Sequence, residues 1–152
     1  MRPGLIVLDA QAFIAYATGE PGATVVRDQL KSKQQVLLST ANLIEVAYFL
    51  RRTRGVTPSA VYADIIELEI HVTRLDEECA LSAASLRLRH YHRQRRPVSL
   101  ADCCAAALAL DREAALVTSD GALLNMMTDE RGDVVPVPAS DGSLWSPVAP
   151  QS

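Results

Sequence analysis

Short apolar runs bounded by polar or turn residues alternate along the chain with longer stretches of helical spacing. Leu5-Ile6-Val7-Leu8, ended by Asp9, is a continuous apolar run of the kind expected for a strand covered on both faces. Val36-Leu37-Leu38, Ile70-His71-Val72, Ala115-Leu116-Val117-Thr118 and Val134-Val135-Pro136-Val137 predict four more strands. Helices are expected over Ala10–Ala17, stopped by Thr18-Gly19, and from Pro21 to near Lys33. A long helix should run to Arg54, capped by Ser39 or Thr40 and closed by Gly55. Thr57-Pro58 opens a helix to about Leu68, Asp76 one to about Tyr91 and Ser99 one to about Arg112, with a short helix near Ala122–Met127. Strands alternating with helices predict a three-layer α/β/α domain around a central, mainly parallel five-stranded sheet.

The prolines bound that domain. Four of the eight (Pro136, Pro138, Pro147 and Pro150) fall in the last seventeen residues. Residues 1–138 are therefore expected as the folded unit and 139–152 as a poorly ordered Pro/Ser-rich tail. A chain of 152 residues with 49% hydrophobic and 22% charged residues can bury one real core. A net charge of −3 is not that of a polybasic nucleic-acid coat. Cys79, Cys103 and Cys104 form no C-x-x-C pair, so neither a zinc ribbon nor a disulfide framework is expected. No apolar run reaches the ~20 residues needed to cross a bilayer, and Met1-Arg2-Pro3 leads into a strand without signal-peptide architecture. The expectation is a cytoplasmic protein with no membrane partner.

Ligands of open parallel sheets bind at the carboxyl ends of the strands. Asp9 closes the first strand, and Asp120 follows the fourth in Thr118-Ser119-Asp120-Gly121. Glu45 lies within Leu43-Ile44-Glu45-Val46-Ala47-Tyr48-Phe49-Leu50, which reads as a helix apolar nearly all round with no basic partner one turn away. Asp102 opens the small-residue helix after Ser99-Leu100-Ala101. Asp9 and Asp120 can equally cap the helices that follow them, and Ser99-x-x-Asp102 fits a capping box. Gathered at one pocket, the four acids would repel one another, a cost that a divalent cation removes. Hard oxygen donors without His or Cys suit Mg²⁺ or Mn²⁺, and such ions can activate water toward a phosphodiester.

These segments resemble the PIN-domain ribonucleases, most closely the VapC-type toxins of bacterial toxin–antitoxin pairs. The resemblance rests on Val7-Leu8-Asp9, Asn42-Leu43-Ile44-Glu45-Val46, Ser99-Leu100-Ala101-Asp102 and Leu116-Val117-Thr118-Ser119-Asp120, in the family's order across about residues 5–125. It implies a PIN fold, Mg²⁺/Mn²⁺-dependent endoribonuclease activity through a metal-activated water, homodimerisation, and inhibition by a cognate antitoxin. Asp9, Glu45 and Asp102 match the family's acidic triad, Asp120 its frequent fourth acid, and Thr118 a hydroxyl residue that supports the site. One departure stands out. The family usually follows its first Asp with Thr or Ser, whereas Ala10-Gln11 follow here, and Ala10 has no hydroxyl to donate.

Residues 87–96 read Arg-Leu-Arg-His-Tyr-His-Arg-Gln-Arg-Arg, five arginines without an acid in a chain of net negative charge. Arg87, Arg89, Arg93, Arg95 and Arg96 are thus candidate RNA phosphate contacts just ahead of the Asp102 helix. His90, Tyr91 and His92 offer planar faces for unstacked bases. The same residues would also suit a helix C-terminus and a solvated face. Other acid-using folds fit less well. A phosphate-receiving domain needs a lysine after a late strand, but the only lysines are Lys31 and Lys33. Asp9-Ala10-Gln11 lacks the Asp-x-Asp of haloacid-type phosphatases, and no glycine-rich phosphate loop is present. The alternative of another class is a catalytically inactive PIN-like module that binds RNA or a protein partner.

Overall fold

A computed structural model describes residues 4–32 and 34–147. Five strands, β1 (Leu5–Leu8), β2 (Gln35–Ser39), β3 (Ile70–Thr73), β4 (Ala115–Thr118) and β5 (Val134–Pro136), form one sheet in the order β3-β2-β1-β4-β5. Every pairing is parallel. Seven helices fill the connections among the described residues: α1 (Ala10–Thr18), α2 (Ala23–Lys31), α3 (Thr40–Arg54), α4 (Pro58–Glu67), α5 (Glu77–His90), α6 (Leu100–Asp111) and α7 (Gly121–Asp129).

Period-two alternation splits the core into two halves. Ile6 and Leu8 of β1, Val36 and Leu38 of β2 and Val117 of β4 face one side, where they meet Phe13, Val46, Leu50, Val61 and Ile65 of α1, α3 and α4. Val7, Leu37 and Leu116 face the other and pack on Leu86, Ala106, Leu123 and Met126 of α5, α6 and α7. The buried strands therefore read as unbroken apolar runs, as the sequence predicts for a sheet covered twice.

The helix starts follow side-chain chemistry. Ser39, Thr57, Asp76 and Ser99 each accept a backbone N–H in the first turn of the helix they open. Gly55 closes α3 with φ 71°, a left-handed conformation that suits glycine. Helix α2 starts later than Pro21 suggests. Residues 20–23 form a turn, the Ala23 N–H bonding the Glu20 carbonyl at 2.9 Å, and Gly22 caps the helix without a side chain. A Cβ at Gly22 would stand 2.2 Å from Val137 Cγ1 and 2.9 Å from the Pro138 carbonyl, so glycine is needed where the chain leaves β5.

The segment after β5 departs from the expected loose tail. Ala139–Ser143 forms a hydrogen-bonded turn, and Trp145 Nε1 donates to Asn125 Oδ1 of α7 at 2.9 Å. Residues 148–152, the rest of that stretch, lie outside the described residues.

Candidate active site

The strand order reverses at β1, which pairs with β2 on one side and β4 on the other. That reversal places the ends of β1 and β4 side by side at the sheet's carboxyl edge, the position where open α/β sheets form a crevice. Asp9 follows β1 and is 1% exposed. Its Oδ1 accepts the Ala12 N–H at 2.8 Å, capping α1, and its Oδ2 accepts the hydroxyl of Thr118 at the end of β4. Thr118 Oγ1 also accepts the Asp120 N–H at 3.0 Å. One buried hydroxyl thus joins the two acids at the switch point. The hydroxyl that Ala10 lacks reaches Asp9 from β4 instead.

Asp120 caps α7, its Oδ1 accepting Ala122 N–H at 2.9 Å and Leu123 N–H at 3.2 Å. Asp102 completes a capping box on α6: its N–H bonds Ser99 Oγ at 3.0 Å and its Oδ2 accepts the Ser99 N–H at 2.9 Å. The capping reading of Asp9, Asp102 and Asp120 and their candidacy as site acids are therefore compatible. Each uses part of its carboxylate to start a helix. Asp102 Oδ1 and Asp120 Oδ2 accept no hydrogen bond among the described residues.

Electrostatics tie the acids together. Burial pushes the Asp9 carboxyl up to about 7 against the pull of its Thr118 and Ala12 hydrogen bonds, and the charges of Asp102 and Asp120 add to the rise. Burial likewise raises Asp102, with a contribution from Asp120. Glu45 is raised by partial desolvation and then by Asp102. Among the described residues, no ion pair involves any of these four acids.

Glu45 belongs to this group for a different reason than its sequence suggests. Helix α3 is not apolar all round: it buries Asn42, Val46 and Leu50, while Glu45 lies on an exposed face with Ile44, Tyr48 and Phe49. Its apolar neighbours are surface residues, and the partial burial of its carboxyl comes from the site side rather than from an apolar helix. What links it to the site is Asn42, which the sequence shows only as part of a motif. Asn42 is fully buried, accepts from Ser39 Oγ at 2.6 Å and donates from Nδ2 to the Ala101 carbonyl at 3.4 Å. Its amide also favours the charged form of Glu45, one turn on. This one amide joins α3 to the first turn of α6, beside Asp102. A Ser-x-x-Asn pair opening a helix with few other polar residues is the signal that could have found it. Asn42→Leu is expected to leave the Ser39 hydroxyl proton without an acceptor and the Ala101 carbonyl without the amide donor, at a cost of about 1–3 kcal/mol, while Ser39 Oγ still accepts the backbone N–H of residue 42. Mn²⁺ binding should weaken with it, whereas Asn42→Asp should keep the Ser39 bond but lose the Ala101 one. Urea unfolding and Mn²⁺ titration check both.

The arginine-rich segment is less free than its composition implies. Arg89 and His90 both bond Glu130 just past α7, the latter through Nε2 at 2.7 Å, and Arg96 pairs with Asp129 at 2.8 Å. Arg96 Nη1 also meets His90 Nδ1 at 2.9 Å. Arginine only donates, so Nδ1 accepts and the proton lies on Nε2, facing Glu130. Arg87 covers the Tyr91 ring at 4.3 Å. One face of Tyr91 is thus covered, although the residue is exposed, and the His90 ring is fixed by Glu130 and Arg96. Arg93 and Arg95 are exposed, with Arg95 Nη2 3.2 Å from His92 Nε2.

Cys103 is buried and Cys104 partly so on α6, and burial first of all holds the Cys103 thiol up at about 11, far from a reactive thiolate. Among the described residues no three His, Cys, Asp or Glu side chains are placed to hold one metal ion by themselves. The donor set still fits a hydrated hard cation. Mg²⁺ keeps several waters and binds through one or two carboxylates, and Asp102 Oδ1 and Asp120 Oδ2 are the free carboxylate oxygens. No described helix is long and apolar enough to cross a membrane.

Comparison with known proteins agrees with this geometry. The fold matches the Mycobacterium tuberculosis VapC20 toxin, described as cleaving the sarcin–ricin loop, at TM-score 0.63 and 20% identity over 78% of this chain and 92% of that one. It matches VapBC2 of Rickettsia felis bound to promoter DNA at TM-score 0.65 and 14% identity, over 88% and 98%. VapBC-1 of nontypeable Haemophilus influenzae matches at TM-score 0.63 and 17% identity, over 87% and 97%. A search of curated proteins returned no significant match. Residues 6–126, most of the folded body and all four acids, match the PIN domain, and the chain belongs to the PIN-domain family.

Proposed function

We propose that this protein is a Mg²⁺- or Mn²⁺-dependent endoribonuclease acting as the toxin of a toxin–antitoxin pair. The observation that carries the reading is the convergence of Asp9, Asp102 and Asp120 at the β1/β4 switch point, where burial and the neighbouring negative charges raise the carboxyls of Asp9 and Asp102 and, among the described residues, no cation is paired to them. Such an arrangement is costly in an apo-protein and suits one that binds a divalent ion. When bound, the ion supplies charge stabilisation on a phosphodiester and lowers the pKa of water. Asp102 and Asp120 offer it free oxygens, while Asp9, fixed by Thr118 and Ala12, adds negative charge at a set position. Glu45, exposed and within electrostatic reach of Asp102, would orient a water or a substrate hydroxyl. Arg93 and Arg95 supply exposed charge for the RNA backbone. By family resemblance the products carry 5′-phosphate and 3′-hydroxyl ends.

Partner surfaces support the toxin half of the reading. A groove of about 680 Å³ lined by Phe13, Tyr16, Leu50, Val61 and Leu68, with Arg54, Asp64 and Glu67 also in its lining, suits an amphipathic antitoxin helix, and the site acids suit a basic side chain. Exposed Ile44, Tyr48, Leu88 and Leu100 provide apolar surface for a homodimer. In the test, purified protein is incubated with structured RNAs in Mn²⁺ or in EDTA. Cleavage is expected in Mn²⁺ and none in EDTA. Cleavage that survives EDTA would reject the metal dependence, and binding without cleavage in Mn²⁺ would favour the inactive module. Co-expression of the adjacent reading frame should relieve growth arrest.

A further inference from the structure

The segment after β5 brings the chain's only tryptophan against the first turn of α7, the helix that Asp120 caps. Trp145 is tied by its Nε1–H to Asn125 of α7, and its Cδ1 lies within ordinary contact of the Cβ position of Gly121. Gly121 directly follows Asp120 and is one turn before Asn125, so the indole lies along the first turn of α7 beside a site acid. The ring is only partly buried. Its sole polar atom is satisfied by Asn125, which holds it in place and leaves its remaining surface purely aromatic. In the arginine-rich segment Arg87 already covers one face of Tyr91 and His90 is held between Glu130 and Arg96.

We propose that Trp145 is a stacking platform for an unpaired base of the RNA substrate, next to the phosphate bound at the acids. The proposal rests on the endoribonuclease reading. A base stacked on an aromatic side chain needs no sequence-specific hydrogen bond, and RNA presents such bases in single-stranded loops. Trp145 would thus select unpaired over duplex RNA, leaving choice of sequence to other contacts.

The sole tryptophan makes the test direct. Emission of the wild-type protein in EDTA is followed while short single-stranded RNA is added, and binding is measured in parallel by anisotropy of the labelled RNA. Emission is expected to fall saturably with the same midpoint as the anisotropy, and duplex RNA should produce much less change. Trp145→Ala is expected to weaken binding by roughly tenfold, within the range of one base–aromatic stack. Trp145→Phe, which keeps a ring and loses the Asn125 bond, should recover most of it. RNA that binds with unchanged emission, or an alanine variant with full affinity, would overturn the stacking role and leave the nuclease reading intact. Quenching by the product of the adjacent reading frame but not by RNA would assign the ring to that partner and overturn it too. No RNA binding and no cleavage in Mn²⁺ would remove both readings.

Discussion

Asp9→Asn is expected to abolish cleavage and, at the same time, to raise the melting temperature of the metal-free protein at pH 8. Burial holds the Asp9 carboxyl near 7 in the folded chain, against an ordinary value of 3.8. The folded state therefore takes up a proton more readily than the unfolded one. The sign follows from linkage: the Asp9 contribution to stability is fully present below about 4 and is lost as pH rises through about 7. Above that, folding must carry a buried charge facing Asp102 and Asp120, an unfavourable term on the order of a few kcal/mol. Asparagine removes the charge and its Oδ1 still accepts the Ala12 N–H, while its Nδ2 replaces the acceptor of the Thr118 hydroxyl and can only donate to that oxygen, which offsets part of the gain. Melting in EDTA at pH 5 and pH 8 checks this, read as the difference between variant and wild type so that other titrating groups cancel. The variant should gain several degrees at pH 8 and about a third of that at pH 5. Mn²⁺ should raise the wild-type melting temperature at pH 8 and barely move the variant. A variant less stable than wild type at pH 8 would contradict the account.

Thr118→Val carries the second large effect, in the opposite direction for stability. Valine matches threonine in shape but cannot donate to Asp9 Oδ2 or accept from the Asp120 N–H. Two buried polar groups would lose their partner together, and a loss of roughly 2–4 kcal/mol is expected by chemical denaturation. Asp9 and Asp120 would no longer be held in register, so cleavage should fall by one to two orders of magnitude, about what one misplaced catalytic contact costs. Thr118→Ser keeps the hydroxyl and should retain most activity with a smaller loss of stability. Equal activity in the valine and serine variants would deny Thr118 its linking role.

The fold was legible because its signals are local. Each strand is an apolar run, and Ser39, Thr57, Asp76 and Ser99 announce their helices in the sequence. Asp9 and Asp120 stood out because a strand end can be found without knowing the sheet order. What depends on distant pairing was not legible. Glu130 lies 41 residues from Arg89, and Asp129 is likewise far along the chain from Arg96, so a basic run read as free surface proved partly neutralised. The apolar composition of α3 concealed that Ile44, Tyr48 and Phe49 face outward, since residue type does not say which side of a helix meets the core. The role of Asn42 depends on α6 arriving beside α3, and that of Trp145 on a turn whose partners lie on another helix.

Three of the acids begin helices, and this shapes how such a chain could lose its activity over generations. A drift to alanine at Asp9, Asp102 or Asp120 would unmake a helix start as well as the chemistry, and selection for a folded product would resist it. A drift to asparagine or serine keeps an acceptor for the first turn and discards only the charge. Descendants retired from cutting RNA but kept as binding proteins should therefore carry amides or hydroxyls at these helix starts, a mark that separates disuse from decay.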